Sequence, residues 1–134
     1  MVKKIAVLVL IILILQACVY HNLEELSPAA VCQNDTVVFV SFSKHIQPVL
    51  TTQCAIAGCH SIKDHQGNLT LDASVSYSEL TKSGSGYVDT INPRYSVLYS
   101  SIVSESNPMP PTGKLDPCTI DRIEKWMLQK AKNN

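Results

Sequence analysis

The sequence has no surplus charge of either sign. Eleven lysines and arginines stand against eleven aspartates and glutamates, giving a formal net charge of zero. No basic field is available to hold a phosphate backbone, so nucleic acid is not an expected partner. Aromatics are scarce, 6% of residues with a single tryptophan, and there is no internal repeat or low-complexity tract. No paired-carboxylate site and no Ser, His, Asp arrangement emerges, so independent catalysis is not expected. At about 150 residues per domain as a prior, 134 residues exclude a multidomain enzyme. The one long hydrophobic run, Ile5 to Leu15, has eleven residues. As a helix it rises about 16 Å, roughly half the hydrocarbon thickness of a bilayer, which excludes a stable transmembrane span. What the chain has in excess is cysteine: five, an odd number, so at least one thiol needs a fate other than intramolecular pairing.

The N-terminus reads as an address. Lys3 and Lys4 precede the apolar run, and Gln16, Ala17 and Cys18 follow it: a basic n-region, a short h-region and a small residue at the cut. Leu15, Gln16, Ala17, Cys18 resembles a bacterial lipobox, with Gln16 a less usual choice at its position. On that resemblance Cys18 becomes the lipid-modified first residue of the mature chain. The expected location is then the cell envelope, lipid-anchored and facing the periplasm or the cell exterior, with the membrane as a partner through Cys18. The plainer reading is an ordinary cleaved signal that leaves Cys18 as a stray thiol. The expected division is residues 1–17 as signal peptide, 18–36 as tether and 37–134 as the folded domain. Export makes disulfides and covalent cofactor attachment chemically permissible.

Within the domain the patterning predicts a mainly α fold with long connections. Val37 to Val40 is a short β-prone run. Phe42, Ile46, Val49 and Leu50 recur at helical spacing, predicting a helix over about 43–52 with Pro48 forcing a late start or a kink. Residues 64–68 and 82–86 read as turn-rich loops, and 74–80 as a short helix. Asn92 and Pro93 look like an N-cap and first position for a helix over 94–103. The clearest element is last: Asp116 as N-cap, Pro117 next, then Ile120, Ile123, Trp126 and Met127 on one stripe.

The stretch that carries chemistry is Cys54, Ala55, Ile56, Ala57, Gly58, Cys59, His60. A Cys-x-x-Cys-His motif marks covalent haem attachment: two thiols form thioethers with the haem vinyls and the adjacent histidine lies under the iron. Here four residues separate the cysteines, so two extra residues must bulge outward, which small Ala55, Ala57 and flexible Gly58 make sterically cheap. The alternatives are a Cys54–Cys59 disulfide, or a zinc site from Cys54, Cys59, His60 and His65, which lacks a second cysteine pair at ligand spacing. Downstream, Asn107 to Gly113 sets Met109 between Pro108 and Pro110, so its thioether sits on a stiff backbone. A methionine opposite histidine on haem iron fills the sixth position and raises the reduction potential. The plain reading of Met109 is packing in a linker.

With these motifs in order, the chain resembles the class I c-type cytochromes, particularly small haem domains of exported bacterial lipoproteins with a Cys-x4-Cys-His site. The resemblance covers roughly residues 37–132. It implies a small helical domain wrapped around one covalently attached haem c, with Cys54 and Cys59 as thioether residues, His60 as proximal iron ligand and Met109 as distal ligand. It also implies that the helix before Cys54 crosses the C-terminal helix near the haem edge. The function implied is one-electron transfer between a redox donor and acceptor protein. The alternatives are a haem-based ligand-binding or sensor module, and a non-haem lipoprotein held by disulfides. The four-residue spacing departs from the usual pattern and bears chiefly on Cys54.

With Cys18, Cys54 and Cys59 assigned, Cys32 and Cys118 are the thiols left, and a disulfide between them is expected; two buried free thiols are the alternative. His45 and His65, possible distal ligands in principle, read as surface residues. Trp126 is expected against the haem edge or the first helix, Arg94 and Lys82 are weak candidates for haem propionates, and Tyr77, Tyr87, Tyr95 and Tyr99 fit a haem shell or ordinary packing equally.

Overall fold

The computed structural model describes Cys32 and residues 37–134. The expected leader, the expected lipid attachment at Cys18 and most of the expected tether lie outside the described residues. The domain is helical as expected, with no strand among the described residues. Among the described residues the β-prone run 37–40 has no strand partner. Two of its backbone groups bond instead to one side chain, as Val40 N donates to Gln129 Oε1 (3.0 Å) and Gln129 Nε2 donates to the Val38 carbonyl (2.7 Å).

The first helix, α1, spans residues 42–54 in three consecutive segments, Phe42–Ile46, Gln47–Val49 and Leu50–Cys54, with the outer two in the wide i→i+5 register. Pro48 explains the register. It has no N–H to give and its ring crowds the carbonyl one turn back, so the chain widens on both sides of it. Ser41 caps the start through its hydroxyl, which accepts from Lys44 N, and His45 Nδ1 accepts from Ser41 N. Phe42, Ile46 and Leu50, spaced four apart, form the buried stripe.

A short helix α2, Ser76–Leu80, packs beneath α1, with the buried Ser76 hydroxyl bonded to the Gln47 side chain. The helix expected over 94–103 is shorter. Pro93–Tyr95 forms a 3₁₀ turn, Ser96 is extended (ψ 149°), and α3 runs Val97–Val103. Asn92 makes no capping bond, whereas Ser96 Oγ accepts from Tyr99 N (3.2 Å), so the hydroxyl defines the start.

The last helix, α4, is Pro117–Leu128 with Asp116 as N-cap accepting from Thr119 N, and Ile120, Ile123, Trp126 and Met127 are buried, as the stripe predicts. It runs back along α1: Thr119 shares a small pocket with Val49 and Thr52 at one end, and Trp126 lies on Phe42 at the other, ring centroids 5.2 Å apart. A Schellman turn closes α4, with Ala131 N bonded to Trp126 O, Lys130 N to Met127 O, and Lys130 left-handed at φ 71°. The chain then folds back so that residues 129–134 lie along 38–43. A Cys32–Cys118 disulfide ties the entry of the fold to the first turn of α4.

Candidate functional site

The attachment stretch leaves α1 at Cys54, where the wide last turn closes with Ala55 N donating to Leu50 O (2.7 Å). The four residues between the cysteines are folded rather than loose. Cys59 N bonds to Ile56 O, and His60 N reaches back to Cys54 O at 3.1 Å. Gly58 takes φ 79°, a conformation glycine adopts without strain. Its N–H donates to Asp64 Oδ2 (2.9 Å), the same oxygen that accepts from Ser61 Oγ (2.7 Å). These two bonds, the serine's first, hold the Asp64 carboxyl below the usual carboxylate range. Asp64 therefore clasps the bulge that the extra residues create. It lies in the stretch that sequence reasoning took only as a turn, and its signal there was an aspartate just past the histidine of a glycine-bearing loop.

His60 is fixed at both ends. Its carbonyl accepts from Leu71 N (2.8 Å), and its Nδ1 lies 3.3 Å from the Leu69 carbonyl, which selects the tautomer with the proton on Nδ1 and leaves Nε2 for a metal. The 107–113 loop brings in Met109, anchored by its N–H to Ser101 O of α3 (3.0 Å) and followed by a cis peptide to the buried Pro110.

These parts meet. A cavity of about 470 Å³ is lined by Gln53, Cys54, Gly58, Cys59, His60, Gln66, Gly67, Met109, Pro110 and Pro111. A second cavity of about 210 Å³ shares Cys54, His60, Gln66, Gly67 and Met109, and is walled by Leu69, Leu71, Leu80, Tyr87, Val97, Leu98, Ser101 and Ile102. All four residues singled out in the sequence thus border one mostly apolar space. Both thiols are free and half-buried, so the alternative Cys54–Cys59 disulfide is not formed. Burial, with Cys59 as the lesser cause, pushes the Cys54 thiol up to about 11. Among the described residues no group of three or more His, Cys, Asp or Glu is placed to hold a metal ion, so Cys54, Cys59, His60 and His65 do not assemble as a zinc site.

The other candidates separate. His65 is exposed with φ 30°, and His45 is occupied by Ser41; neither borders the cavities. Trp126 packs on α1 and donates Nε1 to Lys132 O rather than lining the space. The α1–α4 contact runs from Thr119, which shares a pocket with Val49, to Trp126 on Phe42 at the end of α1 away from Cys54. Arg94 pairs with Glu124 at 2.8 Å. Of the tyrosines, Tyr87 lines the cavity, Tyr77 stacks edge-on against Phe42, Tyr99 is core and Tyr95 is exposed.

The donor set fits a haem: two thiols, an imidazole with Nε2 free, a thioether on a braced loop and leucine-rich walls for a planar apolar macrocycle. Comparison with known proteins finds no match among curated proteins and none among solved structures. Residues 57–113 match the family model of planctomycete cytochrome C. That span holds Cys59, His60 and Met109 and leaves Cys54 just outside, and over it the chain is similar to a cytochrome c, which supports a cytochrome c-like haem domain.

Proposed function

We propose that this chain is an exported, lipid-anchored monohaem cytochrome c that carries single electrons between redox proteins rather than catalysing a reaction of its own. The observation that carries the reading is the convergence of Cys54, Cys59, His60 and Met109 on one apolar cavity. A bound haem supplies a one-electron iron couple. The chain's share is to hold it and set its surroundings. Cys54 and Cys59 would form the thioethers, with Asp64 holding the bulge between them in shape. The Leu69 carbonyl keeps the His60 ring in one orientation. Met109, stiffened by Pro108 and Pro110 and pinned to α3, would offer its thioether to the iron as a ligand beside His60, a soft donor that would favour the reduced state. Leu69, Leu71, Leu80 and Ile102 exclude water, lowering the reorganisation that accompanies a change of charge.

A second reading, a haem module that binds a small ligand, is favoured by one fact: Met109 is 41% exposed, so the residue lies at the rim of the fold, where it is less confined than a core ligand. The test of the main reading is a pyridine haemochrome spectrum of protein matured in a host with cytochrome c assembly machinery. The expected spectrum is that of a haem with both vinyls saturated, retained through acid-acetone extraction. A colourless chain, or haem lost on extraction, overturns it.

A further inference from the structure

The end of the domain remote from the cavity has its own chemistry. There the start of the fold and the C-terminal segment are zipped together: Val40 N to Gln129 Oε1 (3.0 Å), Phe42 N to Asn134 Oδ1 (2.9 Å), Ser43 N to Asn134 O (2.9 Å) and Ser41 Oγ to the same oxygen (2.7 Å). The zipper leaves three large apolar side chains in water: Val38 at 72%, Phe39 at 82% and Leu128 at 52% exposed. Val38 and Phe39 lead into the residues that Gln129 grips, and Leu128 is Gln129's neighbour. Residues 37–50 and 125–134 contain no aspartate or glutamate, yet carry Lys44, Lys125, Lys130 and Lys132. Lys125 is engaged with Asp121 (2.7 Å), and Lys44, Lys130 and Lys132 are exposed. The nearest packed neighbour, α2, reaches this end through Tyr77, whose hydroxyl donates to Ala131 O, and contributes one carboxylate, Glu79.

Exposed aliphatic and aromatic side chains flanked by lysines, on a chain with no net charge overall, are the composition of a surface that rests on lipid: the apolar groups enter the headgroup boundary and the lysines meet anionic phosphates. We propose that this end is a membrane-docking face, with Val38, Phe39 and Leu128 entering an anionic lipid interface and Lys44, Lys130 and Lys132 contacting its headgroups. The proposal deepens the reading of an envelope-bound haem protein and rests on it for the presence of a membrane. A lipid tether alone does not fix the orientation. The chain enters the fold at Cys32, which the disulfide holds at the other end of α4, and α4 is about 18 Å long. Residues 18–31 reach about 45 Å when extended, far enough to permit either end of the domain to face the lipid. Docking by the zipped end selects one orientation, with the Cys54 end of α1 and the cavity it borders turned away from the membrane toward a soluble partner.

The test uses the full mature chain with haem and Cys18→Ser, so that no acyl chain contributes. Co-sedimentation is measured with vesicles of phosphatidylcholine alone and of phosphatidylcholine with phosphatidylglycerol. The expected result is binding to the anionic vesicles that weakens with salt and falls about fivefold for each lysine in Lys44→Gln and Lys132→Gln, and about tenfold in Phe39→Ser. All three side chains are exposed, so the melting temperature and haem spectrum of these variants should match the parent. No binding to anionic vesicles, binding indifferent to these substitutions, or a change of oligomeric state in Phe39→Ser that shows the face pairs with a second copy, each overturns the proposal. Failure of the underlying reading shows separately, as a colourless chain or a native chain without acyl mass on Cys18.

Discussion

Replacing Met109 by alanine separates what this residue does for the fold from what it does for a bound haem. The side chain is 41% exposed, so folding buries a little over half of its apolar surface. Full burial of a methionine contributes about 1.5–3 kcal/mol, and the fraction buried here scales that to about 1–2 kcal/mol. The backbone that carries it is held by groups the substitution does not touch, namely Met109 N to Ser101 O (3.0 Å), Gly113 N to Pro110 O (3.2 Å) and the burial of Pro110. The loop should therefore keep its path, and urea unfolding of the haem-free Met109→Ala chain should show a loss of no more than about 2 kcal/mol with an unchanged m-value. In the haem-loaded protein the same change removes the sulfur ligand. The long-wavelength band of methionine-to-ferric-iron charge transfer should vanish, the reduction potential should fall, and carbon monoxide should bind the ferrous protein readily where the parent resists it. A parent protein that lacks the band and binds carbon monoxide as readily as the variant refutes the assignment of Met109 and selects the ligand-binding reading. A loss of several kcal/mol in the haem-free chain refutes the structural half of the reasoning.

Cys32→Ser with Cys118→Ser opens a loop of 86 residues' separation, and the chain-entropy estimate of about 4–5 kcal/mol should appear as a large drop in urea midpoint, while a loss below about 1 kcal/mol would show that the bridge is dispensable. Phe42→Ala, which removes a buried ring from between Trp126 and Tyr77, should cost about 3–5 kcal/mol by the same measurement. Asp64 has its pKa lowered by folding, so its contribution is present above the ordinary carboxylate range and is lost as pH falls through the lower folded value; hydrogen exchange at Gly58 N–H should accelerate in Asp64→Asn at neutral pH and converge with the parent in acid. In the haem-free protein the Cys54 thiol, pushed up to about 11 by burial, should resist alkylation at neutral pH and react only as pH climbs toward that value; rapid alkylation at neutral pH would place Cys54 in water.

Much of the site was legible because its chemistry is local in the chain. Cys59 next to His60, a cysteine upstream, and a methionine between prolines suggest the roles proposed above by residue type and order alone, and Asp116 with the stripe Ile120, Ile123, Trp126, Met127 reports α4 because capping and a 3.6-residue period act within one helix. Where several local rules compete, the pattern was less decisive. Asn92–Pro93 and Ser96 both offer a helix start, and only the bond from Tyr99 N to Ser96 Oγ decides between them. The run 37–40 has the residues of a strand but, among the described residues, no strand to pair with, and a glutamine side chain 91 residues away donates to the Val38 carbonyl.

Composition and short-range spacing were enough to fix the excess and parity of the cysteines, the eleven-residue length of the longest apolar run, the helical character of the domain and the types of group available to hold a haem. Those depend on composition and on spacing within a few residues. The tertiary structure decided what lies beyond that range. It set the convergence of Cys54, Cys59, His60 and Met109 on one cavity, the clasp of Asp64 on Gly58, the orientation of His60 by the Leu69 carbonyl, and the zipping of 38–43 onto 129–134 that leaves a lysine-flanked apolar end. The Asp64 and His60 bonds span six and nine residues but depend on loop conformations that residue type does not fix; the arrival of Met109 and the zipper join segments distant in the chain, which only packing brings together.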